Sequence, residues 1–366
     1  MTPLVSILIP AYNAEQWIAD TIESALAQTW PHKEIIVVDD GSKDHTLSIV
    51  DEFSSRGVLV ASQKNCGEAA ARNKALSFCS GDYIQWLDAD DILAPDKISR
   101  QMEFAESCSN KRILLSSEWG HFLFRTSRAK FTRTVLWDDL SAVEWLRLKM
   151  EKNTWMQPSS WLVSRELTEA AGPWNERLAW DAEGEYFSRV VSKSDRVKFI
   201  RDAKLFYRVT GPQSYGHVGT SNEKLESSWR STRLHVQYLR SLEDSARTRR
   251  ACVTFMQARV HHFHPHRADL VNATQCLAKT LGGEVTLGKR VEPLGWKFAW
   301  LRKIFGPKFA YLAQDKLPQL KNWALRLWDK AMFQIEKKGA LLNSKSRPVA
   351  LDGNTGAPRG AALNRQ

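Results

Sequence analysis

The chain has 366 residues, 43% of them hydrophobic, and a formal net charge of +11; this allows one large domain with appendages or two domains, with enough apolar content for a buried core. Its five cysteines, Cys66, Cys79, Cys108, Cys252 and Cys276, are scattered and form no C-x-x-C pair, which argues against a disulfide framework or structural zinc and for a reducing compartment. No apolar run approaches the roughly 20 residues of a membrane-spanning helix, and "MTPLVSILIPAYNAE" has no basic lead or small-residue cleavage site, so the expectation is a cytoplasmic protein.

Strand and helix patterns alternate from the start. "LVSILIP" (4–10) reads as a buried strand, and "AEQWIADTIESALAQT" follows with Trp17, Ile18, Ile22, Ala25 and Leu26 at helical spacing. "KEIIVVDDGS" (33–42) is a second strand closed by acids and a glycine turn. A second helix follows in "SKDHTLSIVDEFSS", with Ser42 or Asp44 as N-cap. "VLVASQ" (58–63) is a third strand, "CGEAAARNKALSFCS" a third helix, and "DYIQWLDADD" a fourth strand. This alternation predicts a mainly parallel sheet with helices on both faces. Ligands of such sheets bind outside the carboxyl ends of the strands. Here those ends read Pro10-Ala11-Tyr12-Asn13, Asp39-Asp40-Gly41, Gln63-Lys64-Asn65 and Asp88-Ala89-Asp90-Asp91, so polar and acidic groups gather along one rim. Three carboxylates within four residues, Asp88, Asp90 and Asp91, repel one another and call for a positive partner.

After residue 110 the pattern weakens. "RILLSSEWGHFLFR" reads as one or two strands, "DDLSAVEWLRLKM" and "DAEGEYFSRVVSK" as helices, and "RVKFIRDAKLFYRV" as a β pair. Helical patterns dominate from about 223. Charge is uneven: residues 1–100 carry 8 Lys/Arg against 15 Asp/Glu, and residues 289–338 carry 12 against 4. An acidic front suits a cation and a basic rear suits an anionic surface. Neither G-x-G-x-x-G after the first strand nor G-x-x-x-x-G-K-[ST] is present, which counts against redox and kinase chemistry.

Four segments, "VSILIPAYNAE", "EIIVVDDGSKD", "NCGEAAARNKAL" and "GDYIQWLDADD", resemble in order and spacing the successive signatures of family 2 glycosyltransferases of the GT-A fold. The resemblance is tight over residues 3–100 and loose to about 215. It implies an α/β, Rossmann-like catalytic domain over 1–220, with a nucleotide-binding half (1–110) and an acceptor half (111–220). A helical, basic, Trp-rich region (221–340) follows, then a tail (341–366) of disordered composition. It also implies an inverting, metal-dependent transfer from a nucleoside-diphosphate sugar to a hydroxyl of a glycan, lipid-linked or polysaccharide acceptor.

The same resemblance assigns roles. Asp88-Ala89-Asp90 is similar to the DxD motif, with Asp90 as main ligand of Mn²⁺ or Mg²⁺ and Asp88 on the ribose side as well as near the metal; hard oxygens suit such ions. Asp91 is read as a helix cap. Asp39 accepts from a pyrimidine N3–H, which favours UDP or dTDP. Pro10, Ala11 and Tyr12 form the first nucleotide loop, and Glu15 is either a nucleotide contact or an acid placed by the helix dipole. Arg72, with Asn65 and Gly67, supports the diphosphate pocket. The base falls in "AWDAEGEYFSRVV": counting back from Arg189 puts Glu183 where the family usually has Asp, with Asp181 the alternative. "FYRVTGPQSYGH" resembles a loop over the diphosphate, with Tyr207 and Arg208 near phosphate. A non-catalytic nucleotide-sugar binding module would keep the two acidic rims and lack the base.

The rear segments "PLGWKFAWLRKIFGPKFAYL" and "KLPQLKNWALRLWDKAMFQIEKK" mix Trp and Phe with Lys and Arg. Leu317, Leu320, Ala324, Leu327 and Ala331 form one stripe. This composition fits either an amphipathic helix on an anionic membrane surface, through residues 293–338, at the inner face of the membrane, or packing on the catalytic domain. It does not suggest nucleic acid. His261, His262, His264 and His266 read as a surface cluster.

Overall fold

An unbroken apolar run forms the centre of the fold. In the computed structural model, which describes residues 2–210, 219–287, 316–317, 320–321 and 323–336, β1 (Val5–Ala11) is buried at every position. That is the pattern of a parallel strand covered on both faces. β2 (Lys33–Asp39), β3 (Val58–Ser62) and β4 (Tyr83–Trp86) run parallel to it in the order β3-β2-β1-β4. The connections are α1 (Ile18–Leu26), α2 (Thr46–Asp51) and α3 (Glu68–Phe78). Helix α1 buries Ile18, Ile22 and Ala25, the face that its spacing predicts. Helix α2 begins one step later than expected. His45 occupies the cap position, and the Asp44 carboxylate instead accepts from the Thr46 N–H at 3.0 Å.

A second sheet follows the first. It has the order β5-β10-β6-β7, from β5 (Ile92–Leu93), β6 (Ile113–Phe122), β7 (Lys130–Phe131) and β10 (Arg196–Arg208). β8 (Leu140–Ser141) pairs with β10, and β9 (Val163–Ser164) closes the first sheet antiparallel to β4. The segment read as a β pair is the single strand β10. It runs parallel to β6 with a break in register between Ile200 and Lys204, where Asp202 takes a φ of 65°. Helices α4 (Lys97–Ser107), α5 (Ala142–Glu151), α6 (Arg165–Ala171) and α7 (Ala182–Lys193) lie between these strands in the chain.

The chain divides into two compact units, Met1–Pro293 and Leu294–Gln366. Helices α8 (Asn222–Leu242), α9 (Ala246–Arg259) and α10 (Ala268–Thr280) belong to the first, where α8 packs on α7 and α9 on α5. In the second, residues 323–336 are helical. The rear segment 293–315 and the tail from 341 lie outside the described residues. Among the described residues no helix is long and apolar enough to cross a membrane.

Candidate active site

One side of the rim is built by β1 and β2. Asp39 ends β2, and its Oδ2 accepts from the N–H groups of Gly41 (3.2 Å) and Ser42 (3.1 Å). Its other oxygen, Oδ1, is buried and has no hydrogen-bond partner among the described residues, an arrangement that costs free energy unless a donor arrives. Asp40 ties down the next loop by accepting from the N–H groups of Cys66 (2.9 Å) and Gly67 (2.8 Å). Gly41 has a φ of +71°, and a Cβ there would lie 2.7 Å from the Asn65 nitrogen, so only glycine fits between the two loops. Pro10 and Ala11 are buried in β1, while Tyr12 and Asn65 are exposed on the rim. Glu15 turns toward α2, where it accepts from the His45 N–H at 3.0 Å.

The acidic side gathers four separated segments on one guanidinium. Arg72, on α3, is 0% exposed and stacks over Trp174 at 4.3 Å. A single nitrogen of Arg72 faces Glu68 Oε1 at 2.7 Å, Asp88 Oδ1 at 2.7 Å and Glu183 Oε1 at 2.9 Å. Arg72 is thus a built-in positive partner of this rim. Burial raises the Glu183 carboxyl to about 8, with repulsion from Glu68 and Asp88 adding to it and Arg72 opposing it. Burial and the Asp88 charge likewise push Asp90 up to about 7. The Arg208 charge and a backbone hydrogen bond oppose that rise, while the Ala89 carbonyl accepts from Thr21 Oγ1 at 2.9 Å.

Asp91 is not the solvent-facing helix cap that its position suggests. It is buried and accepts from Gln157 Nε2 (2.6 Å) and the Arg208 N–H (3.0 Å). Gln157 also donates to Asp88 Oδ2 at 2.8 Å, and Arg208 Nε donates to the Asp90 carbonyl at 2.8 Å. The end of β10 and the turn at Gln157 are thereby bolted to the acidic strand end. Residues 211–217 of the proposed diphosphate loop lie outside the described residues.

The two candidate bases, Asp181 and Glu183, point to different places. Glu183, in the first turn of α7, reaches the Arg72 cluster. Asp181 caps the same helix with a φ of 62° and turns toward α8 and α9. There it pairs with Arg259 at 2.8 Å and accepts from Ser231 Oγ. Burial alone would raise the Asp181 carboxyl; Arg259, His235 and Lys149 outweigh it and hold it below the usual range. A Cβ on Gly184 would lie 2.1 Å from Asp181 Oδ1, so the carboxylate folds over a position with no side chain.

Glu68, Asp88 and Glu183 bring carboxylate oxygens within 4.8 Å of one another, the one such group among the described residues, and the histidines at 261–266 form none. Hard oxygen donors of this kind fit Mn²⁺ or Mg²⁺. Sequence reasoning missed Glu68, although its place four residues before Arg72 on a helix was a usable sign. It also missed Gln157 and Trp174, which carry no local signature.

Residues 6–113 match the family model described as glycosyl transferase family 2. The UDP-Glc:alpha-D-GlcNAc-diphosphoundecaprenol beta-1,3-glucosyltransferase WfaP of Escherichia coli is 44% identical over 105 residues, 28% of this chain and 42% of its own. The chondroitin synthase of Escherichia coli is 48% identical over 98 residues, 26% of this chain and 14% of its own. The matched stretch is thus less than half the length of these relatives. S. aureus TarS 1-349, solved in complex with UDP-GlcNAc, has the same fold with a TM-score of 0.55 at 16% identity, covering 76% of this chain and 91% of that one. The buried Asp39 at the end of β2 and the acids after β4 lie within the stretch that matches this family model, so the front of the chain resembles a family 2 glycosyltransferase domain and shares the fold of TarS.

Proposed function

We propose that the protein transfers a sugar from a uridine diphosphate sugar to a hydroxyl group of a glycan or lipid-linked saccharide by direct, inverting displacement. The observation that carries this reading is the convergence of Asp88 and Glu183 on Arg72, on the same rim as the unsatisfied Asp39 Oδ1. That oxygen is an acceptor awaiting the N3–H of a pyrimidine. Tyr12 and the Gly41 turn border the space for the base. Asp90 and Asp88 are the residues that would hold a divalent cation, which when bound supplies positive charge to the leaving diphosphate. Glu183 takes the proton of the attacking hydroxyl, and Arg72 fixes its carboxylate against Asp88. Asp181 acts at a distance, by holding the start of α7. Calorimetric titration with UDP, dTDP and GDP, with and without Mn²⁺, tests the donor. UDP binding that needs metal and disappears in Asp90→Ala is expected. Equal binding of GDP, or binding indifferent to Mn²⁺ and to Asp90→Ala, overturns it.

The rear unit has its own reading. Its helical residues 323–336 expose Trp323 (63%), Leu327, Trp328 and Ile335 alongside Arg326 and Lys330. A contiguous exposed apolar surface of this kind marks an interaction site, and with basic neighbours it suits an anionic membrane interface. This would bring the transferase to a lipid-linked acceptor. Flotation with anionic liposomes at low salt carries the full chain upward if so; a chain that stays at the bottom removes the membrane from the proposal.

A further inference from the structure

Beside the acidic centre, on the acceptor half, four rings from three segments form one cluster. Trp119 and His121 lie on β6, Tyr207 on β10, and Trp155 in the turn after α5. Trp119 is buried and lies 4.6 Å from Trp155, 4.8 Å from His121 and 6.0 Å from Tyr207, centroid to centroid. Tyr207 in turn lies 5.5 Å from His121 and 6.0 Å from Trp155. Trp155 is 45% exposed, and His121 is exposed as well. Trp155 is thus backed by another ring and open on its outer side.

Its place is fixed by the same bonds that shape the acidic rim. Trp155 stands two residues before Gln157, which donates to both Asp88 and Asp91. Tyr207 precedes Arg208, whose backbone N–H and Nε reach Asp91 and the Asp90 carbonyl. Burial, and then the carboxylates of Asp91, Asp90, Asp88 and Glu183, push the Tyr207 phenol up, as expected for a ring facing that charge. The nucleotide side is across the sheet. β2, which carries Asp39, and β4, which leads to Asp88, lie on opposite sides of β1. The rings therefore border the acids from the side away from the base pocket.

We infer that Trp155, backed by Trp119 and flanked by His121 and Tyr207, is the platform on which the acceptor saccharide stacks a pyranose ring. The apolar C–H face of a pyranose matches an open indole, while its hydroxyl edge finds polar partners in His121 and the acidic rim; pockets that combine aromatic walls with a few polar groups bind such ligands. An anionic lipid headgroup is disfavoured there by the neighbouring carboxylates. The inference rests on the transferase reading for its direction, acceptor rather than donor.

The test is an array of immobilised saccharides ending in neutral hexoses, N-acetylhexosamines and uronates. It is probed with the full-length protein in UDP and Mn²⁺, as wild type, Trp155→Ala and Trp155→Phe. UDP affinity is measured in parallel by calorimetry. The wild type is expected to retain a defined set of saccharides. Trp155→Ala should weaken them tenfold or more, Trp155→Phe should stay within threefold, and UDP affinity should be equal in all three. Three results overturn the platform: a wild type that binds no saccharide, a Trp155→Ala variant that binds as the wild type does, or one that loses a UDP-sugar while keeping the array pattern. Saccharide binding that depends on Trp155 in a protein that does not bind UDP keeps the platform and removes the donor reading instead.

Discussion

Arg72 carries the charge balance of the site, since one buried guanidinium faces three carboxylates. Replacing it by alanine leaves those acids unpaired beside an empty space under Trp174. The expected cost is about 3–5 kcal/mol of stability, read as a lowered denaturant midpoint, with loss of UDP binding. Glu183→Gln has the opposite signature. Removing a proposed general base should lower kcat by roughly 10²–10⁴-fold while UDP affinity stays. Relief of repulsion should leave the metal-free protein no less stable. The pH dependence has a definite sign. Glu183 moves from 4.5 to about 8 on folding and Asp90 from 3.8 to about 7. The folded chain thus keeps protons that the unfolded chain has released, so this stabilisation is complete below the unfolded values and is lost as pH rises through the folded ones. The melting temperature in chelator should fall between about pH 5 and 8, and less steeply in Glu183→Gln. A flat profile in the wild type counts against the raised carboxyls. At this scale the apolar patterning put Asp39, Asp88 and Asp90 at strand ends and Arg72 on a helix, where the structure has them. It could not show that Asp91 is buried, because that depends on Gln157 and Arg208, both distant in the chain.

Helix α7 is the element on which the proposed chemistry turns. Its first turn presents Glu183 to one side and its cap, Asp181, to the other, where Lys149, His235 and Arg259 surround it. Lys149 is pushed down to about 7 and His235 to about 3, each chiefly by burial. Arg259→Ala should release the cap. Hydrogen exchange in the first turn of α7 should then quicken and kcat fall, while UDP affinity stays within about twofold, a discrimination of under 0.5 kcal/mol. Unchanged exchange would mean that α9 does not hold this helix. The parallel strands were legible because β1, β2 and β4 are nearly continuous apolar runs. Strand β10 was misread as two because Arg201 and Asp202 interrupt its pattern at the break in register, where a positive φ lets one strand continue past the irregularity.

The whole molecule joins a family-matched front to helices that the family match does not reach. A chain ended after Pro293 should keep its UDP affinity and lose liposome flotation, if the rear unit is the membrane element; a truncated chain that still floats places that contact in the first unit. The first unit itself resists a cut near residue 220, because Asp181 spans from α7 to α8 and α9. That contact also links three positions in heredity. An acid at 181 can fold back only over a residue without a side chain at 184, and the guanidinium at 259 is the first of the groups that keep it charged. Descendants of this chain should therefore exchange the three together, and a graft of the front domain onto other helices must carry Arg259 along with Asp181 and Gly184 if Glu183 is to keep its aim.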